Sequence, residues 1–384
     1  MRRLVTVLAI AFFCTPIGLR AVGVTAHPFE NRRLADRPRL SQGFDVFEQT
    51  RKFVTDRLPL REQAVHANTW ISLHIFHTSP TYGRAQSGAP ATAGVPPAPA
   101  APTPAPAAPQ PAGAIEGRDG WLYLTGELQR ACQVFIPWKK AMARWRRLLD
   151  IVQASGRRVL LEIPPDKSTI YPRYLPANYP ANDCLPAGRK AAWSAIDGTG
   201  DARILGLRRL MLAEATRRPE LLYKRKDTHW NTEAAALSVG AILKRLSPHV
   251  RMKASEIQRG TEHYTGDLSN IIGAPQADTT PQWTITRPAT APKLAGRITM
   301  IYDSFGIAQL DALKPYTNEL TAVLWVGTPQ QQLIDAIAQA DTVIFETVER
   351  EVDFRASDAG YVNPKLFGPL ERRLRAAGAP SQRR

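Results

Sequence analysis

Ser304 stands in the run Tyr302-Asp303-Ser304-Phe305-Gly306, at the end of the apolar stretch Arg297–Tyr302. A serine at the carboxyl end of a strand, where the next helix begins, sits where open α/β sheets place their ligands. Backbone N–H groups of such a turn are free to stabilise an oxyanion, the Ser304 N–H first among them. The plainer alternative is a helix N-cap, which Asp-Ser also makes. A serine hydroxyl becomes a strong nucleophile when a neighbouring base takes its proton. The run Lys226-Asp227-Thr228-His229-Trp230-Asn231-Thr232-Glu233 offers that base. Asp227 and His229 are two apart, so an extended segment points both side chains to one side. A carboxylate beside an imidazole fixes its tautomer and stabilises the imidazolium, the acid's task in a Ser-His-Asp triad. Asn231 or Thr232 is placed to cap the alanine-rich helix that follows. Metal ligation fits this segment poorly, because no histidine stands four residues beyond His229.

These groups need elements to hold them. Arg158–Ile163 is a short apolar strand stopped by Pro164-Pro165, and it follows a helix over 137–154 that carries Trp138, Met142, Trp145, Leu148, Leu149 and Val152. The pattern predicts further helices over 203–216 and 232–246. Strands follow at 297–302 and 321–326, the second closed by Gly327. A helix over 329–339 leads to a last strand over 342–346. Continuous apolar strands alternating with helices indicate an α/β layered fold with a mainly parallel sheet.

The N-terminus reads as an export signal. Arg2 and Arg3 precede the apolar core Leu4–Cys14, and small residues follow at Ala21, Gly23 and Ala26. Residues 1–26 are a signal peptide cleaved near Ala26, or else an anchor holding the chain to the inner membrane through residues 4–23. Residues 27–83 form a helical segment with Phe44, Phe47, Phe53 and Trp70. Residues 84–114 are an Ala/Pro-rich linker with nine prolines between Pro90 and Pro111. A domain over 115–375 and a basic tail over 376–384 complete the chain of 384 residues. Net charge is +16 at pH 7, which favours anionic partners. Export to the periplasm demotes nucleic acid among them. Beyond the leader, Cys132 and Cys184 are an even pair in an oxidising compartment, which points to a disulfide.

Five stretches, in order, carry a resemblance to a known family. They are Glu30-Asn31-Arg32-Arg33-Leu34-Ala35, Glu116–Leu124, Ile163-Pro164-Pro165-Asp166-Lys167-Ser168-Thr169-Ile170-Tyr171-Pro172, the Asp-Thr-His-Trp segment at 227–230 and the Asp-Ser-Phe segment at 303–305. Tyr264-Thr265-Gly266-Asp267-Leu268 and Val348-Glu349-Arg350 add to them. The chain resembles the SGNH-hydrolase-like acetyltransferases of bacterial exopolysaccharide biosynthesis, the alginate O-acetyltransferase family of AlgJ/AlgX type. The resemblance implies a three-layer sandwich with a mainly parallel sheet, preceded by the small N-terminal helical element. It also implies Ser304 as nucleophile, His229 as general base and Asp227 as its orienting acid. Acetyl groups would come from a membrane-bound O-acyltransferase and go to an exopolysaccharide, beside other polysaccharide export proteins. No soluble cofactor and no metal is implied. One residue departs from the family pattern: Tyr302 stands where a glycine is usual, which is acceptable in strand dihedrals and costly at positive φ.

The other candidates have plainer readings. Trp121 and Tyr123 suit a core better than a sugar platform. Asp166 and Lys167 suit lining the cleft and turn chemistry equally well, and Arg350 suits a surface ion pair with Glu349 or Glu346 better than contact with a polymer carboxylate. The run Arg372-Arg373-Leu374-Arg375 suits a solvated helix face. Two other functions remain open: an acetyl esterase, with water as acceptor, and a non-catalytic polymer-binding scaffold of an export complex.

Overall fold

The computed structural model describes residues 113–179, 181–217 and 221–379, with Thr50 and Phe53. The chain divides into two units, Met1–Ala112 and Gly113–Arg384. In the first, Thr50 and Phe53 are helical. The leader, the rest of the 27–83 segment and the linker as far as residue 112 lie outside the described residues.

The second unit opens with β1 (Ala114–Glu116) and β2 (Leu122–Leu124), paired antiparallel, and then α1 (Thr125–Arg130). Helix α2 (Trp138–Ala154) leads into β3 (Arg158–Ile163), the short α3 (Lys167–Ile170) and α4 (Leu185–Asp197). Next come β4 (Ile204–Gly206), α5 (Arg208–Arg217) and α6 (Thr232–Leu246). A long antiparallel hairpin follows, β5 (Ile257–Thr265) with β6 (Ala277–Ile285), and α7 (Asp267–Ile271) lies between its strands. The remainder alternates: β7 (Leu294–Tyr302), α8 (Gly306–Leu313), β8 (Thr317–Leu324), α9 (Gln330–Gln339) and β9 (Thr342–Glu346). It closes with α10 (Val352–Arg355) and α11 (Pro364–Ala377).

Five strands form the central sheet in the order β4-β3-β9-β7-β8, and every pairing is parallel. Both faces are apolar, as a parallel sheet covered by helices on each side requires. Side chains alternate between them. Val159, Leu161, Ile163, Ile301, Val343 and Phe345 pack with Trp145, Leu148 and Val152 of α2, Leu333 and Ile337 of α9, and Leu370 of α11. Leu160, Ile298, Met300 and Ile344 turn the other way, onto Val239 and Leu243 of α6 and Leu313 of α8. Each such side chain contributes roughly 1.5–3 kcal/mol by leaving water. In α2 the buried positions recur at helical spacing, and the helix ends where Gly156 takes φ 83°.

The predicted α/β class and parallel sheet are present. The helix expected over 203–216 is instead the edge strand β4 followed by α5. Ile204 enters the sheet beside Leu161, because strand pairing outweighs a helical pattern that reaches this far upstream only weakly. Strand β8 starts four residues before the predicted 321 and stops at Leu324. As an edge strand with several exposed residues, it carries a weak apolar signal. Cys132 and Cys184 are joined, with Cα atoms 5.5 Å apart, tying the end of α1 to the start of α4.

Candidate active site

Two segments meet beyond the carboxyl ends of the central strands. The first turns from β7 into α8. Asp303 is buried and organises this turn from inside. Its N–H donates to Glu346 Oε2 at 2.8 Å. Its Oδ1 accepts from the Phe305 N–H at 3.0 Å and its Oδ2 from the Val348 N–H at 2.8 Å. The Gly306 N–H is taken by the Asp303 carbonyl at 3.1 Å. Among the described residues, that leaves the Ser304 N–H as the donor of this turn without an acceptor, and the Ser304 side chain is exposed. Tyr302 is the last residue of β7, paired in register with Leu324, and its φ is not positive.

The second segment, 223–230, is a tight turn. Tyr223 and Trp230 bridge antiparallel, and the Lys224 N–H donates to the His229 carbonyl at 3.1 Å. The expectation of an extended Asp227–His229 segment is therefore corrected. Asp227 Oδ1 accepts the His229 backbone N–H at 2.9 Å and faces His229 Nδ1 at 2.8 Å. A carboxylate that bonds the backbone N–H two residues on closes a local turn, which brings it to its own histidine ring. Asn231, not Thr232, caps α6 by accepting from the Ala234 N–H at 3.0 Å.

Asp267, at the start of α7, is a second acid here. Its Oδ2 lies 3.5 Å from His229 Nδ1, and its N–H donates to Asp227 Oδ2 at 3.0 Å. Its Oδ1 accepts from the Thr228 N–H at 2.6 Å. Close approach of the two segments needs Gly266, where a Cβ would lie 1.9 Å from the Lys226 carbonyl oxygen. Burial pushes the Asp227 carboxyl up, but the hydrogen bond and charge of His229 and the neighbouring N–H donors outweigh it and hold it well below the usual range. Asp267 is pushed the other way, by burial and then by the charge of Asp227. Asp227, His229 and Asp267 offer ligand-type atoms within 4.8 Å of one another. Yet the Asp227 oxygens and Asp267 Oδ1 already accept N–H groups, and a cation would have to displace the Nδ1–H of His229. The arrangement suits holding a proton on the imidazole better than holding a metal.

Phe305 joins the two segments. The His229 ring packs on it with centroids 5.2 Å apart, and Trp230 Nε1 donates to its carbonyl oxygen at 2.9 Å. His229 Nε2 is buried and has no hydrogen-bond partner among the described residues. The Arg350 guanidinium lies 5.3 Å from the Phe305 ring centre. Arg350 does not make the surface pair expected with Glu349 or Glu346. It forms a buried pair with Asp166, because both residues follow strand ends that the sheet brings together. Asp166 and Lys167 are likewise buried, not simple turn residues. Trp121 and Tyr123 are core residues as expected.

Beneath the Ser304 turn lie two buried acids whose role the sequence does not announce. Glu162 and Glu346 are register partners on β3 and β9 and are fully buried. Glu162 bonds Ser238 and Gln309, the latter at 2.7 Å. Burial raises its carboxyl to about 7, and it raises Glu346 in the same direction. The signal was present as one acid near the end of each otherwise apolar strand.

Residues 114–302 match a family model described as the SGNH hydrolase-like domain of acetyltransferase AlgX. The match takes in Lys167, Asp227, His229 and Asp267 and ends two residues before Ser304. The probable alginate O-acetylase AlgJ of Pseudomonas syringae pv. tomato is 26% identical over 165 residues, which are 42% of this chain and 41% of that protein. The matched region thus spans about two fifths of that relative's length. The solved O-acetyltransferase domain of Pseudomonas putida AlgJ is 21% identical, covering 68% of this chain and 99% of that one, with a TM-score of 0.46. Pseudomonas aeruginosa AlgX is 12% identical over 70% of this chain and 69% of its own, with a TM-score of 0.45. The family model and the AlgJ relative together support an SGNH hydrolase-like domain of AlgJ/AlgX type over residues 114–302 of this chain.

Proposed function

We propose that this protein is an exported O-acetyltransferase that acetylates hydroxyls of an alginate-like exopolysaccharide through an acetyl-Ser304 intermediate. The observation that carries this reading is the buried Nε2 of His229, which has no partner among the described residues. Its opposite nitrogen is fixed by Asp227, and its ring rests on the residue after Ser304. With Nδ1–H donated to the Asp227 carboxylate, Nε2 carries a lone pair and acts as base.

In the first half-reaction Nε2 takes the Ser304 hydroxyl proton while Oγ adds to the carbonyl carbon of the acetyl donor. The oxyanion that forms accepts from the Ser304 N–H. The tetrahedral adduct collapses, and the leaving group departs with the proton from Nε2. In the second half-reaction a sugar hydroxyl gives its proton to Nε2 and attacks the acetyl-serine. Oγ then leaves and regains that proton. Asp227 stays ionised and stabilises the imidazolium in both steps. The work would be done in the periplasm by the domain over 115–375, with a membrane-bound O-acyltransferase as donor and the polymer as acceptor. The name of the P. syringae relative, an alginate O-acetylase, supports the choice of polymer.

The test uses the exported chain with p-nitrophenyl acetate, followed by intact mass. An adduct of about 42 Da on Ser304, absent in Ser304→Ala and His229→Ala, supports the acyl-serine route. Equal release by all three proteins would overturn it and favour a non-catalytic scaffold. Deacetylation that speeds up with added oligosaccharide separates a transferase from an esterase.

A further inference from the structure

The turn that carries Asp227 and His229 points three of its carbonyl oxygens at one spot. Lys167 Nζ occupies that spot, donating to the carbonyls of Asp227 at 2.6 Å, Lys224 at 3.2 Å and Arg225 at 3.3 Å. Lys167 is the first residue of α3, delivered from the end of β3, and it is fully buried. Around it, α3 is pinned by other groups. The Ser168 N–H donates to Glu127 Oε1 at 2.7 Å, and Thr169 Oγ1 donates to Glu349 Oε2 at 2.7 Å. The rings of Trp121 and Tyr123 close over the ammonium, 5.6 and 5.3 Å away. Among the described residues Lys167 makes no ion pair with a carboxylate.

The count of donors matters here. A lysine ammonium has three N–H donors and no acceptor, and three carbonyls use all of them. A neutral amine keeps two donors and turns its lone pair towards the third carbonyl, which repels it. We propose that Lys167 is a positioning residue: its ammonium clamps the Lys224–Asp227 turn and so sets the Asp227–His229 hydrogen bond. The catalytic consequence rests on the reading of His229 as the base that activates Ser304.

This makes the site sensitive to alkali. Burial pushes the Lys167 ammonium down to about 8. Glu127 of α1, Asp227 of the turn and Asp267 of α7 face it and favour the charged form, and Lys226 opposes them. The Tyr123 hydroxyl beside it is pushed up, chiefly by burial, away from this pH range. Lysine in the unfolded chain titrates near 10.5. Between about pH 8 and 10.5 the unfolded state therefore binds more protons than the folded one, and this group's contribution to stability rises with pH. Activity falls as pH rises through about 8, because the folded-state clamp then loses a donor. Alkaline unfolding would move both downwards together.

The experiment follows acetylation of Ser304 by p-nitrophenyl acetate in the full chain from pH 6 to 11, with far-UV circular dichroism on the same samples. The wild type should show a one-proton alkaline limb of at least tenfold, centred near pH 8, with the fold intact. Lys167→Met should be at least tenfold slower at pH 7.5 and lack that limb. A wild-type rate flat to pH 11, or a Lys167→Met variant with wild-type rate and limb, overturns the proposal. The second readout is the Nδ1–H proton resonance of His229 in the wild type, which needs no variant and no activity. It should weaken or shift with the Lys167 titration, and an unchanged resonance through pH 10.5 overturns the clamp. If no acetyl-Ser304 forms at any pH, the catalytic reading fails, and this resonance still decides the clamp.

Discussion

Tyr302 fills the space that a side chain on residue 306 would need. A Cβ on Gly306 would lie 2.5 Å from the Tyr302 Cβ and 2.8 Å from its ring carbons. Strand β7 ends on the first of these residues and α8 starts on the second, so only Asp303, Ser304 and Phe305 span the gap. Tyr302 keeps a strand conformation and carries no positive φ. Its cost falls on position 306, which must stay without a side chain.

Gly306→Ala should therefore disturb the turn that presents Ser304. The clash is with a Cβ and a ring anchored on a strand, so the helix start must shift. A loss of about 1–3 kcal/mol in stability is expected, with a larger relative loss of Ser304 acetylation. Tyr302→Gly in the same chain should restore acetylation by removing the opposing atoms. If the double variant is as slow as Gly306→Ala, the contact does not control the turn.

Asp227 and Asp267 both approach His229 Nδ1, at 2.8 and 3.5 Å, and they should not be equivalent. Asp227 is held ionised and makes the hydrogen bond, so Asp227→Asn removes both the charge and the fixed tautomer. A fall of about 10²–10⁴ in the acetylation rate is expected, in line with the acid of a Ser-His-Asp triad. Asp267→Asn should cost about tenfold or less, since the longer contact adds charge at a distance. Single-turnover acetylation of the two variants measures the difference. Equal losses would mean that the acids share the task.

The sequence disclosed the candidate residues more readily than what holds them in place. Ser304 and the Asp227–His229 pair stand in short runs of unusual composition beside strong apolar patterns, so they were legible. Their meeting through Phe305 was not, because it joins segments 75 residues apart through a ring contact and an indole hydrogen bond. Lys167 read as turn chemistry because a charged residue after Pro164-Pro165 has no local signature of burial. Its partners are backbone carbonyls almost 60 residues away. Strand β4 falls inside a helical pattern because three residues carry too little pattern to declare a strand. The β5–β6 hairpin was missed because its faces are largely exposed and show no apolar alternation.

The Cys132–Cys184 bond ties α1 to α4 across 52 positions. Its loss frees a long loop in the unfolded chain, which lowers stability by about 2–4 kcal/mol. Cys132→Ser with Cys184→Ser should lower Tm by roughly 4–12 °C for a domain of this size. Acetylation of Ser304 at 25 °C should change little, since neither cysteine contacts the serine or histidine segments. A comparable fall in rate at low temperature would show that the bond also shapes the site.

Glu162 makes a prediction about pH that is opposite to that of an ion-paired carboxylate. It is fully buried, and its carboxyl is raised from 4.5 to about 7, chiefly by burial. Ser238 and Gln309 favour its charged form but do not cancel that burial. Between these two values the folded state binds more protons than the unfolded chain, so stability falls as pH rises through the window. Above it the folded protein carries a buried negative charge near Asp303 and the equally buried Glu346. Glu162→Gln keeps the shape and removes the charge. The variant should be more stable than the wild type at pH 8, by up to roughly 3 kcal/mol. The two proteins should converge near pH 4.5, and the variant should show a shallower fall of Tm across pH 5–7. Glu346, shifted in the same direction, should keep part of that slope in the variant. Thermal melts at half-unit pH steps are the measurement. A Glu162→Gln protein less stable than the wild type at pH 8 would mean that the ionised carboxylate is needed by Ser238 and Gln309.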